Sequence, residues 1–210
     1  MDKLKIKVCG MRDPENIDAV CVSLPDYIGF IFYPKSKRFV GENPDEQIFS
    51  RVPESVQKVG VFVNEDVEKV IDICRRYKLE IAQLHGNESS GDCRQIKAAG
   101  LIVFKAFSVD EAFDFNLLTN YAGVADYFLF DTKGKLPGGT GEKFNWQILN
   151  RYNQHTPFFL SGGIGPGDCE EIKNVIFERL FAVDINSGFE TEAAIKQPNK
   201  VAGFIQQIRN

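Results

Sequence analysis

KIKVCGMRDPEN, residues 5–16, is an alternating, strand-like run that meets a glycine and then a proline-led segment. A doubly wound nucleotide-binding sheet would carry GxGxxG here, directly after its first strand. CGMRDP stands there instead. Asp13-Pro14 reads as a helix start, a capping residue followed by proline at the first helical position. The opening unit is therefore a strand and a helix with no dinucleotide loop between them.

The same unit recurs at intervals of roughly 20 to 30 residues. Apolar runs stand at YIGFIF (27–32), KVGVFV (58–63), IAQLH (81–85), LIVFKAF (101–107), DYFLFD (126–131), PFFLSG (157–162) and LFAVDI (180–185). Most are near-continuous in apolar residues, as strands buried on both faces of a parallel sheet are. Between them Ile17, Val20, Cys21 and Leu24 follow helical spacing, as do Val67, Val70, Ile71 and Cys74, and Val201, Phe204, Ile205 and Ile208. Asn43-Pro44 and Gly165-Pro166 repeat the proline start. Periodicity is poor over 44–52, 109–120 and 144–151, where the second, fifth and sixth helices should fall. Eight strand–helix units in 210 residues predict an α/β fold, one (β/α)₈ TIM barrel domain spanning 1–210, with the open doubly wound sheet as the alternative.

A net charge of −4 and a pI near 5.3 argue against nucleic-acid or membrane-surface partners. No apolar run is long enough to span a bilayer, and MDKLKIKV lacks the features of a signal peptide, so a cytoplasmic protein is expected. The five cysteines are scattered without CxxC pairs, and His85 and His155 are the only histidines. A zinc site and a disulfide framework are both unexpected, and the thiols should be reduced.

In a barrel the chemistry gathers where strands end. Cys9 alone among the cysteines ends a strand; Cys21, Cys74, Cys93 and Cys169 fall in helical segments. It is either a small buried hydrophobe or a thiol presented to a ligand. Lys7 shares its strand face, roughly 7 Å below, and an ammonium there would lower the thiol pKa from its free value of about 8.5. Asp131 ends the apolar run YFLFD. It is either a loop-bracing residue or a general acid whose pKa is raised by apolar surroundings. His85 shares a face with Gln83 and could bind an anion or orient another group.

Two glycine loops, SGGIGPGD (161–168) and DINSG (184–188), follow the last two strands, where barrels often bind phosphate through backbone N–H groups. KGKLPGGTGEKFNW (133–146) is a cover over the site or a long turn. Lys35, Lys37 and Arg38 form a basic cluster that is either solvated surface or a source of one arginine able to clamp a carboxylate. Lys105 invites comparison with the Schiff-base lysine of an aldolase.

Together KVCGMR, GFIFYPKSKR, VGVFVN, QLHG, FDT, GGTGEKFNW, LSGGI and AVDINSG run in order along the chain. In this combination the chain resembles the phosphoribosylanthranilate isomerases of tryptophan biosynthesis. The resemblance implies an Amadori rearrangement of a phosphorylated small-molecule substrate in a barrel that needs no metal or organic cofactor. It makes Cys9 the general base and Asp131 the general acid, and it sets Arg38 against the anthranilate carboxylate. It gives the phosphate to Gly162, Gly163, Ser187 and Gly188, with Asp184 lining the pocket and His85 at its edge. Lys7, beside Cys9, completes the substrate-facing set. The chain departs from the pattern at Asn186, where the resemblance would put a serine. A monomer is expected. The rivals are a ProFAR-type isomerase of histidine biosynthesis, which would use an aspartate in place of Cys9, and a non-catalytic barrel that binds a phosphorylated metabolite.

Overall fold

The computed structural model describes residues 3–132, 143–175 and 177–210. Eight strands close into a parallel barrel: β1 (Lys5–Cys9), β2 (Tyr27–Ile31), β3 (Gln57–Phe62), β4 (Ile81–Leu84), β5 (Ile102–Val109), β6 (Tyr127–Thr132), β7 (Phe158–Leu160) and β8 (Leu180–Ile185). β1 hydrogen-bonds to both β2 and β8, which shuts the ring and excludes the open sheet. Both faces of the strands are buried, which accounts for their near-continuous apolar sequences. Ile6, Val8, Ile28, Phe30 and Phe62 point outward into the core under the helices. Cys9, Val61, Ile81, Phe104, Leu129 and Ala182 point inward.

Around the barrel lie α1 (Pro14–Cys21), α2 (Gln47–Ser50), α3 (Val67–Arg76), α4 (Ser90–Ala98), α5 (Cys169–Asn174) and α6 (Pro198–Arg209). The stronger helices are capped as their sequences suggest. Asp13 accepts from Asn16 N, Asp66 accepts from Glu68 N, and Ser89 with Asp92 forms a capping box. Where periodicity is poor the helices shrink. The second is a single turn that excludes Pro44, and the fifth and sixth are 3₁₀ segments, Phe115–Tyr121 and Trp146–Arg151. Gly165-Pro166 opens a 3₁₀ turn that leads into α5. Leu24 does not continue the α1 stripe. It lies beyond the helix end, 55% exposed and at φ 49°. A small antiparallel hairpin, β9 (Glu190–Glu192) and β10 (Ile195–Lys196), follows β8 and was not expected. Among the described residues no helix is long and apolar enough to cross a membrane.

The two ends of the barrel interior differ. At the N-terminal end Tyr27, Phe104, Tyr127, Phe159 and Phe181 interlock with ring centroids 4.6 to 5.9 Å apart. At the other end the inward positions turn polar: Lys7, Gln83, Ser161 and Asp184. Lys105 belongs to neither. It is buried on the outer face, where Nζ donates to the carbonyls of Leu84, Gly86 and Ala106 and pairs with Glu88 at 3.1 Å. Fully engaged in bracing the β4 end, it is not a Schiff-base lysine open to a substrate.

Candidate active site

The polar end of the barrel opens into a cleft. Its lining includes Cys9, Gln83, His85, Asp131, Ser161, Gly162, Gly163, Asp184 and Ser187, which come from the C-terminal ends of five strands. Ile31, Val61, Val63 and Ile164 supply an apolar wall, and Tyr33, Ser36, Thr132 and Asn186 add polar atoms. Cys9 and Asp131 are thus in one cleft, together with both glycine loops.

On one side Lys7 and Asp184 sit in register on adjacent strands, joined by a fully buried 2.9 Å ion pair. Burial pulls the Lys7 ammonium down, but Asp184 and Cys9 outweigh it and hold the ammonium above its usual value. Burial pushes the Asp184 carboxyl up against the pull of Lys7. The Cys9 thiol is also pushed up, because burial exceeds the opposing field of Lys7. Lys7 thus acts on Cys9 in the expected sense, but burial leaves the thiol above, not below, its ordinary value. The sequence placed the ammonium on the right face, but neither the depth of the thiol nor the pairing of Lys7 with Asp184 was visible in it.

On the other side, His85 Nε2 lies 3.2 Å from Asp131 Oδ2, and Gln83 Nε2 lies 2.9 Å from His85 Nδ1. With the amide donating to Nδ1, the imidazole carries its proton on Nε2 and donates it to Asp131. The backbone N–H of Thr132 donates to Asp131 Oδ1 at 2.9 Å. The carboxylate is therefore oriented by polar partners rather than enclosed by the apolar run that precedes it. The loop that carries His85 is braced from below by Glu88, which accepts from the backbone of Asn64 and Gly86 and pairs with Lys105.

The two glycine loops touch. A Cβ at Gly188 would meet the Ile164 carbonyl and lie 3.1 Å from Gly165 Cα. Gly162 and Gly163 adopt φ of 89° and 65°, and a Cβ at Gly162 would lie 2.6 Å from Thr132 N. Only glycine allows that backbone so close to the Asp131-Thr132 segment. Gly188 sits at the loop crossing, next to Ser187, which lines the cleft.

Arg38 is placed differently from the expected free clamp. Its Nε and Nη2 donate to the two carboxylate oxygens of Glu190 at 2.8 and 2.7 Å, and Lys196, fully buried, pairs with the same carboxylate at 2.5 Å. The side-on face of the guanidinium is thus taken, and the Nη1/Nη2 end remains for another anion. Neither Glu190 nor Lys196 was singled out from sequence, since nothing in GFETEAAIK signals that this hairpin folds back toward β1. Of the loop expected to cover the site, residues 133–142 lie outside the described residues.

A parallel (β/α)₈ barrel with an acid, a thiol and two touching glycine loops at the C-terminal end of its strands defines a barrel enzyme with its site in the usual place for that fold. Residues 6–207 match the family described as N-(5'-phosphoribosyl)anthranilate isomerase. The N-(5'-phosphoribosyl)anthranilate isomerase of Parabacteroides distasonis is 47% identical over 204 residues, covering 97% of this chain and 92% of that protein. A crystal structure of phosphoribosyl anthranilate isomerase in complex with reduced 1-(o-carboxyphenylamino)-1-deoxyribulose 5-phosphate superposes with a TM-score of 0.84. It is 33% identical and covers 98% of both chains. A structure of monomers generated from the dimeric phosphoribosylanthranilate isomerase of Thermotoga maritima gives 0.81, also at 33% identity and 98% coverage of both chains. The chain belongs to the N-(5'-phosphoribosyl)anthranilate isomerase family.

Proposed function

We propose that this chain converts N-(5-phosphoribosyl)anthranilate to 1-(2-carboxyphenylamino)-1-deoxyribulose 5-phosphate in tryptophan biosynthesis, with Asp131 as general acid and Cys9 as general base. The observation that carries this reading is the meeting of Cys9, Asp131 and both glycine loops in one cleft of a chain that belongs to this family. Asp131, oriented by His85 and Thr132 N, protonates the furanose ring oxygen and opens the sugar to a Schiff base. The Cys9 thiolate then removes the proton from C2, and the resulting enolamine tautomerises to the ketone. An acid and a base acting on one substrate suffice for this rearrangement.

Backbone N–H groups at Gly162, Gly163 and the Ser187-Gly188 end of the last loop hold the phosphate, supplying remote binding energy that positions the sugar. The anthranilate carboxylate meets the end of the Arg38 guanidinium left open by Glu190. A working monomer is part of this proposal. Sedimentation of the purified protein checks this. The acidic charge balance and the class of reaction support a cytoplasmic setting.

The test is turnover with purified protein and N-(5-phosphoribosyl)anthranilate. Wild type is expected to turn over, and Cys9→Ala and Asp131→Asn each to lower kcat by about 10²-fold or more, with binding of a product analogue largely kept. Near-normal kcat in either variant removes that residue from the mechanism. Turnover of the ProFAR-type substrate alone would contradict the assignment, and turnover of neither substrate would point to a binding barrel.

A further inference from the structure

Cys9 is surrounded by a charge arrangement that the proposed mechanism does not by itself use. Lys7 on its own strand and Asp184 on β8 form a pair of zero net charge. Beside it lies a second group, Arg38 after β2 with Glu190 on β9 and Lys196 on β10, in which two cations share one carboxylate. Their side chains are 11%, 6% and 0% exposed. Ala194 N and Asn186 Oδ1 complete the arrangement, the first donating to Glu190 and the second accepting from Lys196 Nζ at 2.9 Å. The Lys196 backbone is tied to Asn16 by two 2.8 Å hydrogen bonds, so the ammonium is held from both ends. The group packs directly on the residue after Cys9. A Cβ on Gly10 would lie 2.6 Å from Arg38 Cδ and 3.0 Å from Asn186 Oδ1. Across the cleft, among the described residues, the other titratable groups are Asp131 and His85, which are paired with each other, and Tyr33.

A buried cluster with one uncompensated positive charge is costly unless an anion stands next to it. Resting on the reading of Cys9 as the base, we propose that, before an anthranilate carboxylate reaches Arg38, the residues Arg38, Glu190 and Lys196 form a positioning cluster whose excess positive charge favours the Cys9 thiolate. When the thiol gives up its proton to solvent, the negative sulfur completes the charge balance on this side of the barrel. In the Lys7–Asp184 pair the two charges act on the sulfur in opposite senses, the lysine favouring the thiolate and the aspartate opposing it. Lys196 acts through the field at Cys9 and is a positioning residue, as is Glu190, which fixes the distance of both cations.

The experiment reads Cys9 directly and needs no substrate. Alkylation of Cys9 by iodoacetamide is followed against pH by peptide mass spectrometry, with Cys9→Ala as the blank. Peptide mapping separates Cys9 from the four helix thiols, Cys21, Cys74, Cys93 and Cys169, which burial also pushes up. Lys196→Met is expected to move the alkylation midpoint up by about one pH unit or more, and Lys196→Arg to keep it near wild type. Glu190→Gln, which perturbs the same contacts but removes the negative member, is expected not to raise it. An unchanged midpoint in Lys196→Met overturns the proposal. So does a rise in Glu190→Gln equal to that in Lys196→Met, because the cluster would then matter only as scaffold. Failure of Cys9→Ala to lose turnover would instead overturn the role of Cys9 as base, and the two failures are read in separate measurements.

Discussion

At Cys9 burial outweighs the nearby ammonium groups and holds the thiol above its ordinary value. The thiolate is the proton-accepting form, so raising the thiol pKa moves the active form to higher pH. kcat/KM should therefore rise with pH along a limb whose midpoint lies above the ordinary thiol value. A profile that is flat from neutrality upward would contradict this. Lys7 can be tested for its partnership with Asp184. Lys7→Met leaves a carboxylate buried without its cation and should cost about 3–5 kcal/mol of stability. In Lys7→Met/Asp184→Leu both charges are gone, so most of that stability should return on urea unfolding while turnover stays low. Recovery of turnover in the double variant would show that the pair serves only the fold.

Among the elements, the junction of β1, β2 and α6 depends on one carboxylate. Asp26 accepts from Lys5 Nζ at 3.0 Å, Ile6 N at 2.9 Å and Arg209 Nη2 at 2.8 Å. Burial works to raise its pKa, but these donors outweigh burial and hold it below the usual carboxylate value. A depressed folded-state pKa contributes stability that is complete above the unfolded value of about 4 and is lost as pH falls through the folded one. Asp26→Asn should therefore cost about 2 kcal/mol at pH 7 and clearly less at pH 3. An equal cost at both values would rule out the charge as the cause. The strands of this barrel were legible because burial on both faces writes a near-continuous apolar run. The second, fifth and sixth helices were not, since segments without an apolar stripe have nothing to hold a longer helix against the sheet. Cys9, Asp131, His85 and Asp184 were readable because the fold puts strand ends together. Glu190 and Lys196 were not readable, because their meeting with Arg38 depends on the path of a short hairpin with no periodic signal of its own.

Taken as a whole molecule, the barrel is closed by interlocked aromatic rings at one end and carries ionised and glycine-rich positions at the other. That polarity leaves the glycine-rich end to the proposed substrate, whose phosphate, sugar and carboxylate would meet different strand ends. The account requires one orientation: phosphate on the loops of Gly162-Gly163 and Ser187-Gly188, with the sugar between Cys9 and Asp131. A crystal structure of this protein with a reduced product analogue tests it most directly. The account predicts C2 of the sugar facing Cys9 Sγ at roughly van der Waals contact, about 3.5–4 Å, and the Asp131 carboxylate turned toward the oxygen of the opened ring. An analogue bound with C2 turned away from Cys9, or with its phosphate off these two loops, would contradict it.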